Sequence, residues 1–153
     1  MKIQYIALIS VLLTGYCIGA TLTVSNIVGS IGDAVIIPIQ LKNNKTVVGI
    51  QFDVTFNSSV LSVKSLLKGT DIGNAMISSL AIEANTYRVI IINLNKNNLN
   101  NGELIKLNFK INTQANIGIY PIDIHNIQAT NTKALTLTID PKNIHSGSIK
   151  IQQ

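Results

Sequence analysis

A chain of 153 residues that is 46% hydrophobic and 12% charged is long enough for one folded domain and too apolar to stay disordered. The formal net charge of +5 comes from lysines spread along the chain. No basic run occurs and no aromatic residues alternate with basic ones, so no nucleic-acid partner is expected.

The first twenty residues read as a secretory leader. Lys2 gives a positive start, Tyr5 to Leu13 is a nearly unbroken apolar run, and Gly15, Gly19 and Ala20 follow. Cleavage after Gly19 or Ala20 would leave a secreted domain over 21–153, free in the medium or held at the cell surface. The apolar run is short for a membrane span, and no membrane insertion is expected once the leader is gone. An uncleaved N-terminal anchor is the alternative. Cys17, the only cysteine, lies inside the leader. The bulky Tyr16 before it departs from the small residue that a lipid-attachment signal needs, so no disulfide or thiol chemistry is expected of the domain.

Beyond the leader, Thr21 to Val28 reads as a first strand and residues 29–32 as a turn. Val35, Ile37, Ile39 and Leu41 then alternate along a second strand. Pro38 falls on its opposite face and, lacking an N–H, predicts an edge position or a bulge. Residues 43–45 make the next turn. In the stretch VVGIQFDVTFNSSVL over 47–61, Ile50, Phe52, Val54 and Phe56 take one face of a strand, and Gln51, Asp53 and Thr55 take the other. Asn57-Ser58-Ser59 is turn chemistry, and Val60-Leu61 returns the chain to the core. Residues 68–74 read as a loop and 75–82 as either a strand or a short helical turn. Tyr87 to Leu94 is a strong strand, apolar on both faces at Val89 to Ile92, and an asparagine-rich loop follows. Ile105, Leu107, Phe109 and Ile111 face inward along the next strand. Tyr120, Ile122 and Ile124, then Leu135, Leu137 and Ile139, then Ile149 and Ile151 complete the inward sets. Roughly nine strands joined by short polar turns predict an all-β sandwich of jelly-roll topology, with no helix of ordinary length.

Little in this sequence supports catalysis. His125 and His145 stand apart from other metal-binding side chains, so no metal site is expected. Asp53, Glu83, Glu103 and Asp123 sit singly on different strands, and no nucleophile or phosphate-binding motif appears. The loop over 93–103 is rich in oxygen-bearing side chains but has Glu103 as its only carboxylate, which favours a solvated hairpin over a calcium loop. Asn44 and Asn57 each begin a glycosylation sequon in a predicted turn. Function is therefore expected in a surface. The outward face assigned here comprises Gly49, Gln51 and Asp53 on the central strand and Val89, Ile91 and Asn93, running on to Asn95, on the Tyr87 strand. Apolar residues facing outward are either covered by another element or form a patch for a partner.

The order of these segments resembles the cohesin module. The resemblance rests on the alternating strand that ends Phe56-Asn57 and leads into Val60-Leu61, on Ile37-Pro38-Ile39, on the glycine-led strand from Gly102 to Ile111, and on Gly118 to Ile122. It implies a non-catalytic module docking a dockerin-type partner in extracellular polysaccharide-degrading or surface assemblies. It also implies no cofactor on this chain, with any calcium carried by the partner. Gly49 and Gln51 stand where many cohesins of the first type carry an Asn-x-Asp pair, which points to a divergent partner. Two further readings stay open. A carbohydrate-binding module of the same architecture would bind polysaccharide, although the chain has no tryptophan and only Tyr87 is placed to serve as a platform. A surface structural or adhesion subunit would assemble by strand addition at an exposed edge.

Overall fold

The computed structural model describes residues 16–153; Lys2, the apolar run and Gly15 of the expected leader lie outside the described residues. The strands are β1 (Tyr16–Ile18), β2 (Thr21–Val24), β3 (Ile27–Ser30), β4 (Ala34–Lys42), β5 (Gly49–Thr55), β6 (Leu61–Lys68), β7 (Met76–Glu83), β8 (Thr86–Ile92), β9 (Gly102–Ile111), β10 (Gly118–Thr130), β11 (Thr136–Ile139), β12 (Ile144–His145) and β13 (Gly147–Gln152). They form two sheets. The larger runs β1-β11-β10-β5-β8-β7, with β13 beside β10 and β3 beside β13, and the smaller runs β12-β2-β4-β9-β6. The only helical element among the described residues is a short 3-10 turn over Pro141–Asn143.

The alternation read from the sequence becomes the layer between the sheets. Ile50, Phe52, Val54 and Phe56 from the larger sheet meet Ile37, Ile39, Leu107 and Phe109 from the smaller, all buried. The Phe56 ring stands edge-on to Phe109, with centroids 5.0 Å apart and planes at 69°, a favourable aromatic geometry. The uncertain segment after Asn74 is a strand, β7, and ends the larger sheet.

Three expectations are corrected. The predicted first strand is two strands. β2 pairs antiparallel with β4, whereas β3 pairs parallel with β13, so a break at Ser25-Asn26 carries the chain from one sheet to the other. The strand holding Pro38 is not at an edge, because β4 lies between β2 and β9. Its proline is tolerated for a local reason. The Pro38 carbonyl accepts from Ser25 N–H at 3.2 Å, just past the last residue of β2, so the missing donor falls where that neighbour ends. The expected bulge is present one residue on, at Ile39/Gln40 against β9. Finally, Leu135 precedes β11 and is exposed, while Leu137 and Ile139 are buried. β1, which falls inside the segment read as a leader, pairs in parallel with β11 from Tyr16↔Leu137 to Ile18↔Ile139.

Candidate interaction face

The outer surface of β10-β5-β8-β7 is set by pairing register. Gly49, Gln51, Asp53 and Thr55 of β5 lie opposite Ile92, Ile90, Arg88 and Thr86 of β8. On the far side of β8, Met76, Ser78 and Leu80 of β7 lie opposite the same Ile92, Ile90 and Arg88. Opposed residues in an antiparallel pair share a face, so these positions form one continuous outward surface. Ile90 and Ile92 are each 41% exposed, Met76 56% and Leu80 67%.

This register overturns the expected orientation of β8. Val89 and Ile91, assigned outward from the sequence, are fully buried, with Val89 opposite the core residue Phe52. Four consecutive apolar residues carry no parity signal of their own. The signal was one position upstream in Arg88, the only arginine in the chain. Its charge must face out, and the pleat then puts Ile90 and Ile92 on its side. Asn93 and Asn95 are not on the sheet face either. They form a turn beyond β8, with Asn95 N–H bonded to Asn93 Oδ1 at 3.1 Å and Lys96 N–H to Asn93 O at 3.0 Å.

Of the β5 residues, Gly49 is buried and Gln51 half-buried. A Cβ at position 49 would lie 3.0 Å from Thr130 Oγ1 and 3.5 Å from Ile92 Cγ1, so neighbouring side chains close over the glycine. Asp53, although on the outward face, is only 2% exposed. Arg88 covers it in a two-point ion pair, Nε to Oδ1 at 2.8 Å and a second guanidinium nitrogen to Oδ2 at 2.9 Å. Asn126 Nδ2 donates to Oδ2 at 2.9 Å as well. Asn126 reaches it from a bulge in β10, between the pairings His125↔Asp53 and Gln128↔Gln51, with its own φ at 51°. Asparagine tolerates this left-handed conformation better than most side chains. The Arg88 hydrogen bonds hold the Asp53 carboxyl down at about 2, against burial that pushes it up; Asn126 and the nearby Arg88 and His125 charges add to the lowering. Arg88 and Asn126 were both missed from sequence. Beside this network, Thr55 Oγ1 lies 2.6 Å from His125 Nε2 and 3.3 Å from Thr86 Oγ1.

The face therefore has an apolar half on β7 and β8 and a polar half on β5 and β10, with its strongest charges neutralised against each other. Among the described residues, no group of three or more His, Cys, Asp or Glu could hold a metal ion. The two sequons separate. Asn44 is buried, its Nδ2 donating to Val47 O at 3.1 Å and Leu99 O at 2.7 Å, so its amide is committed to holding two loops together. Asn57 is exposed at its turn.

A family model of the cohesin domain matches residues 20–151. A search of curated proteins finds no match. Among solved structures, the non-cellulosomal cohesin of the hyperthermophilic archaeon Archaeoglobus fulgidus is 18% identical, with a TM-score of 0.75 over 88% of this chain and 91% of its own. The sixth cohesin of Acetivibrio cellulolyticus scaffoldin B, solved in complex with a mutant dockerin, is 17% identical with a TM-score of 0.78, covering 88% and 99%. The cohesin of a type I cohesin–dockerin complex from Clostridium thermocellum is 17% identical with a TM-score of 0.77, covering 87% and 99%. At such identities the structural likeness speaks for the shared sandwich. The family match itself spans nearly every described strand, and this chain belongs to the cohesin family.

Proposed function

We propose that this cohesin is a non-catalytic docking module that receives a dockerin-type partner on the outward face of β10-β5-β8-β7. The observation that carries the reading is the apolar set Met76, Leu80, Ile90 and Ile92, open to solvent on a sheet face of a cohesin. An apolar centre beside satisfied polar groups is the composition of a protein interface. Gly49 and Ile92 extend the apolar half where an amide anchor would otherwise stand, which suits a divergent dockerin presenting aliphatic side chains. Calcium, where it takes part, belongs to the partner. A leader removed after Gly19 or Ala20 would export the module to an assembly that degrades polysaccharide or decorates the cell surface. A polysaccharide platform is less well supported, because Tyr87 is half-buried and packs 6.2 Å from the Phe56 ring.

The test is affinity capture of secreted and surface proteins from the source organism, with calcium and then with chelator. Recovery of a dockerin-bearing protein is expected with calcium only. Ile90→Asp is expected to weaken capture at least about tenfold while leaving the fold intact, since a central apolar contact exchanged for a charge costs about 1.4 kcal/mol or more. Capture that ignores both Ile90→Asp and Ile92→Asp would move the interface elsewhere. Retention on insoluble polysaccharide with no protein partner would replace the docking reading.

A further inference from the structure

β7 ends the larger sheet and is hydrogen-bonded on one side only. Seven of its eight residues are exposed, including Ser79 and Ala81, which point toward the sandwich interior. The strand thus overhangs the smaller sheet, leaving a groove of about 420 Å3 lined by Leu66, Lys68, Ala75, Met76, Ile77 and Ser79.

Sheet edges are normally protected by charge, proline, a bulge, shortness or a covering segment. The other described edges follow this rule. β6 carries Lys64 and Lys68 and a bulge at Val63/Ser65. β3 and β12 have four and two residues, and β1 lies along the outer edge of β11. β7 keeps such defences to its far end, a bulge at Ala81/Glu83 and the charge of Glu83, while the stretch from Ile72 to Ala81 contains no charged residue and no proline.

We propose that the edge of β7 pairs antiparallel with β7 of a second copy of this chain, about a two-fold axis at Ser79. That register sets Ile77 opposite Ala81 on the inner side and Ser78 opposite Leu80 on the outer side. Large side chains thereby meet small ones near the axis. The single charge of the strand, Glu83, lies beyond the bulge at Ala81/Glu83 and outside this paired stretch, so no like charges meet near the axis. A two-fold contact of this kind closes on itself and ends at the dimer. The inner residues of each added strand would enter the other copy's groove. The two outward faces would also merge, so one dimer would present two adjoining docking surfaces.

The test uses the full chain with Cys17→Ser, so that an introduced thiol is alone. Sedimentation across a concentration series is expected to show a monomer–dimer equilibrium. Ser79→Cys is expected to form an intermolecular disulfide about tenfold or more faster than Ser62→Cys on exposed β6, because pairing raises the local thiol concentration. Ser79→Lys is expected to be monomeric, with unchanged circular dichroism and the melting temperature that the wild-type chain shows when diluted to monomer. A chain that stays monomeric, with Ser79→Cys cross-linking no faster than the control, overturns the proposal. So does a dimer that survives Ser79→Lys, or an assembly that grows past two copies. Because Ser79 points away from the docking face, these outcomes do not depend on whether a dockerin binds there.

Discussion

Asp53 is a carboxylate in a place that ordinarily excludes one, and three neighbours account for it. Arg88 from β8 supplies two hydrogen bonds and a charge, Asn126 supplies a third hydrogen bond from β10, and His125 faces it from the same strand. These hold its folded-state pKa at about 2, below the ordinary 3.8. The unfolded chain therefore takes up the proton first as the pH falls. The stabilisation is full above about pH 4 and is lost as the pH drops through 2. Asp53→Asn is expected to lower stability at pH 7 and to flatten the loss between pH 4 and 2, read from urea midpoints across that range. A variant that keeps the wild-type acid slope would assign that slope to another carboxylate. From sequence, Asp53 was visible as an outward residue. Its partners were not, because Arg88 is 35 positions away and Asn126 is brought in by a bulge.

At the scale of the strand, β8 decides what the docking face presents. Ile90 and Ile91 are adjacent in sequence and alike in chemistry, yet one is 41% exposed and the other fully buried. Ile91→Ala is expected to cost about 2–5 kcal/mol through the cavity it leaves, whereas Ile90→Ala should stay within about 0.5 kcal/mol. Denaturant unfolding of the two variants measures this directly, and the reverse ranking would flip the strand. The same contrast separates what each can do, since the buried residue supports the face and the exposed one is open to a partner at the proposed docking site. The outer row of β7 continues the proposed docking surface, while its other edge is not paired with any strand of this chain.

At the scale of the molecule, the buried core of the described residues begins at Ala20. β1 adds three residues of backbone pairing and the half-buried Ile18. A chain beginning at Ala20 is therefore expected to fold with the same circular dichroism and to melt within about 5 °C of the full chain. Collapse of the shortened chain would make Tyr16–Ile18 an integral strand and remove the leader reading. The sequence by itself determined the fold class and most of the core. Period-two alternation is a local property of an extended chain, and Ile50 to Phe56 and Ile105 to Ile111 show it without knowledge of any neighbour. Only the tertiary structure decided which strands lie side by side. With that came the outward turn of Ile90 and Ile92, the burial of Asp53 under Arg88, the commitment of Asn44 to two loop carbonyls, and the place of β7 at the end of the sheet. Each depends on contacts between segments distant in the chain, and such contacts leave no periodic trace in the residues that make them.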